Sequence, residues 1–360
     1  MAEYRQIPVN TDPAYTVTIG PGLLKDCGPR LRAIMNPCRM AVVTDNTVAP
    51  LYLDTVLQSL AASGFDAFSV TFPAGEGSKN FTTLSAILER LAAERLTRSD
   101  CVIALGGGVV GDMAGFAAAC YLRGIRYVQM PTTLLAAVDS SVGGKTAIDL
   151  AAGKNLAGAF LQPAAVLCDT DCLKTLPPEI FADGAAEAVK TGVLTSPELF
   201  ALFESGNLTA MPEEAIAQCV AYKAGVVERD EREQGERKLL NLGHTIGHAI
   251  EKCSGYTIPH GHAVAAGLAI MARSAAALGE MTPAAIERRD AERICATLSR
   301  LGLPISTEYP PDALAGAALS DKKRSGDSIT IVIPQEIGQC RLNSIPVGAL
   351  LFTIRAGWRA

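Results

Sequence analysis

The first half of the chain alternates short β-branched runs with stretches of helical period. Thr16-Val17-Thr18-Ile19 predicts a strand ended by Gly20-Pro21-Gly22. Met40-Ala41-Val42-Val43-Thr44 predicts a buried strand followed by a helix over 48–62, and Ala67-Phe68-Ser69-Val70-Thr71-Phe72 predicts the next strand. A turn over 73–79 leads into an amphipathic helix over 80–96. Cys101-Val102-Ile103-Ala104-Leu105 runs into Gly106-Gly107-Gly108, Tyr127-Val128-Gln129-Met130 stops at Pro131, and Ala165-Val166-Leu167-Cys168 precedes Asp169. Strand, helix, strand at this spacing predicts βαβ units and a mainly parallel sheet.

Near Pro177-Pro178 the texture changes. From about 181 to 301 the pattern is helical, with the clearest helices over 213–232, 238–251, 264–278 and 283–301. Asp327-Ser328-Ile329-Thr330-Ile331-Val332-Ile333 and Cys340-Arg341-Leu342 predict a small hairpin, and 347–358 a closing helix. There is no internal repeat. The expected architecture is an α/β nucleotide-binding domain over 1–178 and a mainly α-helical metal- and substrate-binding domain over 179–360, with the active site in the cleft between them.

At 360 residues the chain is long enough for two cores. A net charge of −5 argues against nucleic-acid or anionic-membrane partners, so an anionic substrate must be met by a local cluster of Lys and Arg. Ten cysteines without a CxxC predict reduced cytoplasmic thiols rather than a zinc ribbon or a disulfide framework. The opening Met1-Ala2-Glu3-Tyr4-Arg5 does not read as a signal peptide. The apolar run over 104–122 carries Asp112 and several glycines, which fits a buried loop and helix better than a membrane span.

All four histidines fall between Asn241 and His262. His244 and His248 are one helical turn apart, and glycines at 243 and 247 suggest a backbone that something approaches closely. A loop with Gly255 and Pro259 returns the chain to His260. Two or three imidazoles and a carboxylate make a catalytic zinc site with an open position. Ordinary polar helix residues are the alternative, and the spacing does not say which rings bind metal. Glu187 lies in Ala185-Ala186-Glu187-Ala188-Val189, an apolar setting where an unpaired carboxylate is costly.

Gly106-Gly107-Gly108-Val109-Val110-Gly111-Asp112 contains G-x-G-x-x-G between a strand and a helix, a turn that cradles a pyrophosphate. No acid follows about 20 residues on to hold a ribose, so the dinucleotide fingerprint is incomplete. Asp45, at the end of an earlier strand, can fill that role, and Thr132, Thr133, Glu76 and Lys79 are further candidates. Each also has a simpler reading as a cap or a solvated turn. Lys145 and Lys154 follow glycines and are expected in loops. Lys223 and Arg237 flank a charge-rich helical stretch, where a solvated face is the alternative.

At Val138-Asp139-Ser140-Ser141-Val142-Gly143-Gly144-Lys145-Thr146, with Gly153-Lys154-Asn155, the chain strongly resembles the 3-dehydroquinate synthase family of the shikimate pathway. The same resemblance runs through Pro73-Ala74-Gly75-Glu76 with Lys79, the glycine-rich turn, Pro131-Thr132-Thr133-Leu134-Leu135, Leu173-Lys174-Thr175-Leu176-Pro177, Ala186-Glu187-Ala188-Val189-Lys190, the histidine block, His260-Gly261 and Asp321-Lys322-Lys323. It implies NAD, a divalent zinc or cobalt ion, a cytoplasmic homodimer and a phosphorylated sugar-acid substrate. The implied reaction converts 3-deoxy-D-arabino-heptulosonate 7-phosphate to 3-dehydroquinate and phosphate. It proceeds by transient oxidation, phosphate elimination, re-reduction and intramolecular aldol closure.

Carried over by motif, the metal ligands are Glu187, His244 and His260. Arg123, Asp139, Lys145, Lys154, Asn155, Lys190, Lys223, Arg237, Asn241, His248 and the Lys322/Lys323 pair join those histidines around the substrate. Among them His248, Lys145, Asn155, Lys190 and Arg237 are the expected catalytic set. NAD is expected against Asp45, Asn46, Glu76, Lys79, Gly107, Gly108, Val109, Gly111, Asp112, Thr132, Thr133, Asp139, Ser140, Lys145, Lys154, Cys172, Leu173, Lys174 and Thr175. Two departures from the family pattern stand out. Asn46 directly follows Asp45, where the family usually has Asp-x-Asn, and His262 follows Gly261, where the family usually has Glu. Rival readings are a related cyclase making a valiolone or inosose, a metal-dependent polyol dehydrogenase, and a catalytically silent binding protein.

Overall fold

The computed structural model describes residues 4–279, 286–319, 324, 325 and 327–359. Backbone packing divides the chain into two units: Met1–Leu176 with Lys223–Glu228, and Pro177–Tyr222 with Arg229–Ala360.

The first unit is built on a seven-stranded sheet. Its strands are β1 (Arg5–Val9), β2 (Tyr15–Gly20), β3 (Arg39–Asp45), β4 (Asp66–Phe72), β5 (Cys101–Gly106), β6 (Arg126–Pro131) and β9 (Ala165–Asp169), in the order β1-β2-β9-β6-β5-β3-β4. β1 and β2 are antiparallel and every other pair is parallel. The central strands are apolar without alternation because both faces are covered. Met40 and Val42 pack with Cys27, Leu31, Val56 and Leu60 of helices α1 (Cys27–Ile34) and α2 (Ala49–Ala62). Ala41 and Val43 pack with Leu84, Ile87, Val110 and Met113 of α3 (Phe81–Ala93) and α4 (Gly108–Cys120). β3 connects to β4 on one side while β5 lies on the other, so Asp45 and Gly106 end neighbouring strands at a topological switch point. Open α/β sheets bind ligands at such a point.

Lys145 and Lys154 are not in loops. They lie on an antiparallel hairpin of β7 (Lys145–Leu150) and β8 (Gly153–Phe160). Gly158 permits the pairing, since a Cβ there would lie 2.1 Å from the Thr146 carbonyl oxygen.

The second unit is mainly helical: α5 (Pro178–Thr195), α6 (Pro197–Glu204), α7 (Pro212–Arg229, its Lys223–Glu228 segment counted with the first unit), α8 (His244–Cys253), α9 (His260–Gly279), α10 (Arg288–Arg300), α11 (Pro311–Leu319) and α12 (Leu350–Gly357). A small antiparallel sheet joins β10 (Arg324–Ser325), β11 (Ser328–Glu336) and β12 (Gln339–Pro346). α9 is apolar and long enough to cross a membrane, but 78% of its apolar window is buried, which marks a core helix. The start of the helix expected over 283–301 lies partly outside the described residues.

The single helix expected over 238–251 is broken. A 3-10 turn over Glu236–Asn241 ends at Leu242, and Gly243 takes a left-handed φ of 78° before α8 begins. The cause is tertiary. A Cβ at Gly243 would lie 2.9 Å from the Leu268 nitrogen and 3.0 Å from the Val264 oxygen, and one at Gly267 would lie 2.2 Å from the Gly243 oxygen. What approaches the backbone at Gly243 and Gly247 is therefore helix α9. None of the ten cysteines is in a disulfide.

Candidate active-site residues

In the second unit α5, α8 and the first turn of α9 bring together the carboxylate and imidazoles singled out in the sequence. Glu187 is 1% exposed and forms an ion pair with Lys190, one turn further along α5 and 2% exposed. Glu187 Oε1 lies 3.5 Å from His244 Nε2 and 3.4 Å from His260 Nε2. One ligand atom from each of Glu187, His244 and His260 lies within 4.8 Å of the others. Neither Glu187 oxygen has a well-formed hydrogen bond; Lys190 offsets the charge at Oε2, while Oε1 faces the two imidazole nitrogens.

The electrostatics agree. Burial disfavours the charged Glu187, yet Lys190 and His260 overcome it and hold the carboxyl down at about 2. Burial likewise disfavours protonated His260, yet Glu187 and Glu251 overcome it and push the ring up to about 10. Two imidazoles and a carboxylate are the donor set of a catalytic divalent metal with an open position. His248, one turn along α8, has its ring centroid 5.3 Å from that of His244 and 6.0 Å from that of His260.

The surroundings of this cluster are held by groups the sequence reading missed. Asp183, one turn before Glu187 on α5, accepts at one oxygen both the backbone N–H of His262 (3.0 Å) and a contact from its ring Nδ1 (3.0 Å). His262, in the first turn of α9, is thus tied to α5 through Asp183. Asp230 accepts the backbone N–H groups of Gln234, Gly235 and Arg237 at 2.7–2.9 Å and so shapes the loop that carries Arg237. Arg237 is 1% exposed and donates to the Glu231 carbonyl, so a solvated face is excluded for it. The Asn241 amide donates to Glu233 at 2.6 Å, and Glu233 itself sits at φ 59°. For Asp183, a carboxylate one helical turn from Glu187 is the signal the sequence offers.

The first unit gathers a second cluster. Lys79 is 5% exposed, and its Nζ lies 2.6 Å from Asp112 Oδ2, 2.5 Å from Asn155 Oδ1 and 3.8 Å from Glu76 Oε1. Lys154 Nζ lies 3.9 Å from the same Glu76 oxygen. Asn155, at φ 54°, donates its backbone N–H to Asp149 at 2.8 Å, and Asp149 takes up the Lys79 carbonyl through its own N–H. Burial raises both Asp112 and Glu76, while Lys79 pulls each of them back. Burial lowers Lys79, but Asp112 and Glu76 outweigh it and raise it. Lys223 donates to the Asp139 carbonyl oxygen at 2.7 Å and pairs with its carboxylate, so it too is no solvated surface lysine.

At the end of β5, Gly107 precedes α4 without a side-chain cap, leaving the first-turn N–H groups to another acceptor. A Cβ at Gly111 would lie 2.7 Å from Gln129 Oε1, and one at Gly108 would lie 3.2 Å from Ser140 Oγ, so the first turn of α4, which includes Val109, packs close against β6 and Ser140. The Thr132 hydroxyl, beside Thr133, is buried and has no hydrogen-bond partner. These features fit a bound pyrophosphate.

Other expected residues have local work. Asp45 Oδ1 accepts the N–H groups of Thr47 and Val48 at 2.8 Å, capping the approach to α2, and Asn46 accepts the Ala74 N–H at 2.8 Å. Cys172, Leu173, Lys174 and Thr175 lie in a 3-10 turn, where exposed Lys174 pairs with Asp171. Lys145 is exposed at the start of β7, and Arg123 is exposed at φ 69°. Lys322 and Lys323 lie outside the described residues.

Family models for the N-terminal and C-terminal domains of 3-dehydroquinate synthase match residues 69–183 and 184–324. The 3-dehydroquinate synthase of Paracoccus denitrificans is 44% identical over 356 residues, which cover 95% of this chain and 96% of that one. A solved 2-deoxy-scyllo-inosose synthase complexed with carbaglucose-6-phosphate, NAD+ and Co2+ matches with a TM-score of 0.85 at 25% identity, covering 99% of this chain and 100% of its own. The 2-epi-5-epi-valiolone synthase of Streptomyces hygroscopicus subsp. jinggangensis, with NAD+ and Zn2+ bound, matches with a TM-score of 0.82 at 25% identity, covering 95% and 96%. Matched by both domain models, and by identity sustained along nearly its whole length, this chain belongs to the 3-dehydroquinate synthase family.

Proposed function

We propose that the chain converts 3-deoxy-D-arabino-heptulosonate 7-phosphate to 3-dehydroquinate and phosphate, acting as a lyase of the shikimate pathway. The observation that carries this reading is the convergence of Glu187, His244 and His260 beside buried Lys190, in a chain 44% identical to a 3-dehydroquinate synthase. The cyclases that make other carbocycles match at 25% identity.

Glu187, His244 and His260 would hold the divalent metal, which supplies Lewis-acid polarisation of the substrate's oxygens. The uncapped start of α4, Gly107, Gly108, Thr132 and the Lys79–Asp112 pair would hold NAD, which supplies a reversible hydride acceptor. The remaining groups bind, orient and move protons. Lys145, Lys154, Lys190, Lys223, Arg237 and the Lys322/Lys323 pair set positive charge against the substrate's carboxylate and phosphate in a chain of net charge −5. Arg237 is a buried guanidinium on a loop tied down by Asp230, so it orients its partner at little further entropic cost. Glu233 fixes the amide of Asn241. His248 holds a proton near the substrate phosphate, and full turnover by His248→Ala would remove that role.

The first unit serves as the NAD-binding part and the second as the metal-binding part. The family resemblance supports a cytoplasmic homodimer, which sedimentation of the purified chain checks. To separate this reading from a polyol dehydrogenase, the purified protein is given either the phosphorylated heptulosonate or a plain polyol, with zinc and NAD. Phosphate from the first and no NADH from the second is the expected result. NADH from the polyol without phosphate from the sugar acid would overturn it.

A further inference from the structure

We infer that Glu251 is a positioning residue for the metal site, accepting the Nδ1–H of His260 and so turning the Nε2 lone pair toward Glu187 and His244. The inference rests on the metal reading above.

Glu251 lies on α8 one turn beyond His248, on the face that also carries His244. It is 2% exposed, and its Oε2 lies 3.3 Å from His260 Nδ1. The opposite nitrogen of the same ring, Nε2, lies 3.4 Å from Glu187 Oε1. An ionised carboxylate can only accept a hydrogen bond, and a neutral imidazole has one N–H and one lone pair. In the neutral ring that would ligate a metal, the Glu251 contact keeps the proton on Nδ1 and leaves the lone pair on Nε2.

His244 shows the same logic with a different partner. Its Nδ1 lies 3.1 Å from the Leu242 carbonyl oxygen, which also can only accept, and its Nε2 faces Glu187 Oε1 at 3.5 Å. Both rings thus present Nε2 to one carboxylate oxygen. They differ in that a neutral carbonyl holds one and an anion holds the other. A carboxylate behind a ligating imidazole makes the ring a stronger donor and fixes its plane.

His248, Glu251 and His260 also bring ligand atoms within 4.8 Å of one another. A second metal there would need His260 to give lone pairs from both nitrogens, which a neutral ring does not have. What lies between Glu251 and His260 is a proton.

The test titrates metal-free wild-type and Glu251→Gln full-length protein with Co2+, following visible absorption and calorimetric affinity. Circular dichroism checks that the variant is folded. One Co2+ per wild-type chain is expected, with affinity about 10–100-fold weaker and an altered absorption band in the variant. Equal affinity and an unchanged band would overturn the inference, as would two Co2+ per wild-type chain. Failure of the wild type to bind Co2+ would remove the metal reading and this inference with it. An independent readout uses the folded wild type. With only four histidines in the chain, 15N NMR of the Zn2+ form resolves each ring. His260 is expected with its proton on Nδ1, and a bare Nδ1 would overturn the inference even if Glu251→Gln did not fold.

Discussion

The two clusters handle buried charge in opposite ways. In the first unit Lys79 sits among Asp112, Glu76 and Asn155, and each charge has an opposite partner from the chain itself. In the second unit two imidazole nitrogens converge on Glu187 Oε1, while Lys190 pairs with the other oxygen, Oε2. The first is an ion network nearly complete in itself, ready for hydroxyls and a backbone-bound phosphate. The second offers one carboxylate oxygen and two imidazoles to a metal ion. The elements that build them differ accordingly. Strand ends and a hairpin bring lysines and acids together from distant segments, whereas three helices lock rigid donors at fixed spacing.

The largest effect should come from removing the cation's donors. His260→Ala or Glu187→Gln should lose tight Zn2+ binding and lower kcat/KM by about 10³-fold or more, since the ion contributes several kcal/mol to transition-state charge. Metal content and phosphate release read this directly, and activity retained without bound metal would break the contrast.

Lys79→Met attacks the first cluster instead. It leaves Asp112 buried without its partner and should cost about 3 kcal/mol in denaturant unfolding at neutral pH. Asp112 is raised by burial, so folding favours its protonated form. Its contribution is present in full below the unfolded carboxylate's pKa and is lost as pH rises through the folded value. Removing Lys79 raises Asp112 further, so the loss of stability should shrink as pH falls toward about 4. A loss independent of pH would show that Lys79 contributes packing rather than charge.

Gly243→Ala tests whether the metal site depends on helix spacing. The left-handed φ and the contacts with α9 should cost about 2 kcal/mol and weaken Zn2+ binding together. Stability lost without any change in affinity would separate the packing from the site.

Glu204→Gln is the control for an ordinary ion pair. Glu204 bonds Arg293 through both oxygens at 2.8 Å, with the side chains 30% and 34% exposed, so solvent screening limits the loss to less than about 1 kcal/mol. Arg293 holds Glu204 below its usual value. Its contribution is present above the unfolded pKa and fades as pH falls through the folded one, so the loss from Glu204→Gln also shrinks toward low pH, in the same direction as that from Lys79→Met but smaller.

The centre of the sheet was legible because β3, β5 and β9 are continuous apolar runs buried on both faces. β1 was not, since Arg5-Gln6-Ile7-Pro8-Val9 pairs polar residues and a proline at a sheet edge. The β7–β8 hairpin escaped because Gly153-Lys154-Asn155-Leu156-Ala157-Gly158-Ala159-Phe160 has little β-propensity and its pairing is tertiary. The break before α8 was hidden for the same reason: only the approach of α9 explains Gly243.

At the site, four histidines in one block announced a cluster, and Glu187 stood out in its alanine-rich setting. Burial of Arg237 and the pairing of Lys223 with Asp139 were invisible locally, because charge-rich stretches usually face water. Glu251 and Asp183 have no role assigned from the sequence, although each lies one turn from a candidate site residue, His248 and Glu187.

The most direct test of the account counts phosphate released per NAD supplied, before and after chelation of the protein and after Zn2+ is restored. Many phosphates per NAD without accumulating NADH, abolished by chelation and recovered with Zn2+, is the predicted result. Phosphate limited to one per NAD, or release indifferent to chelation, would contradict it.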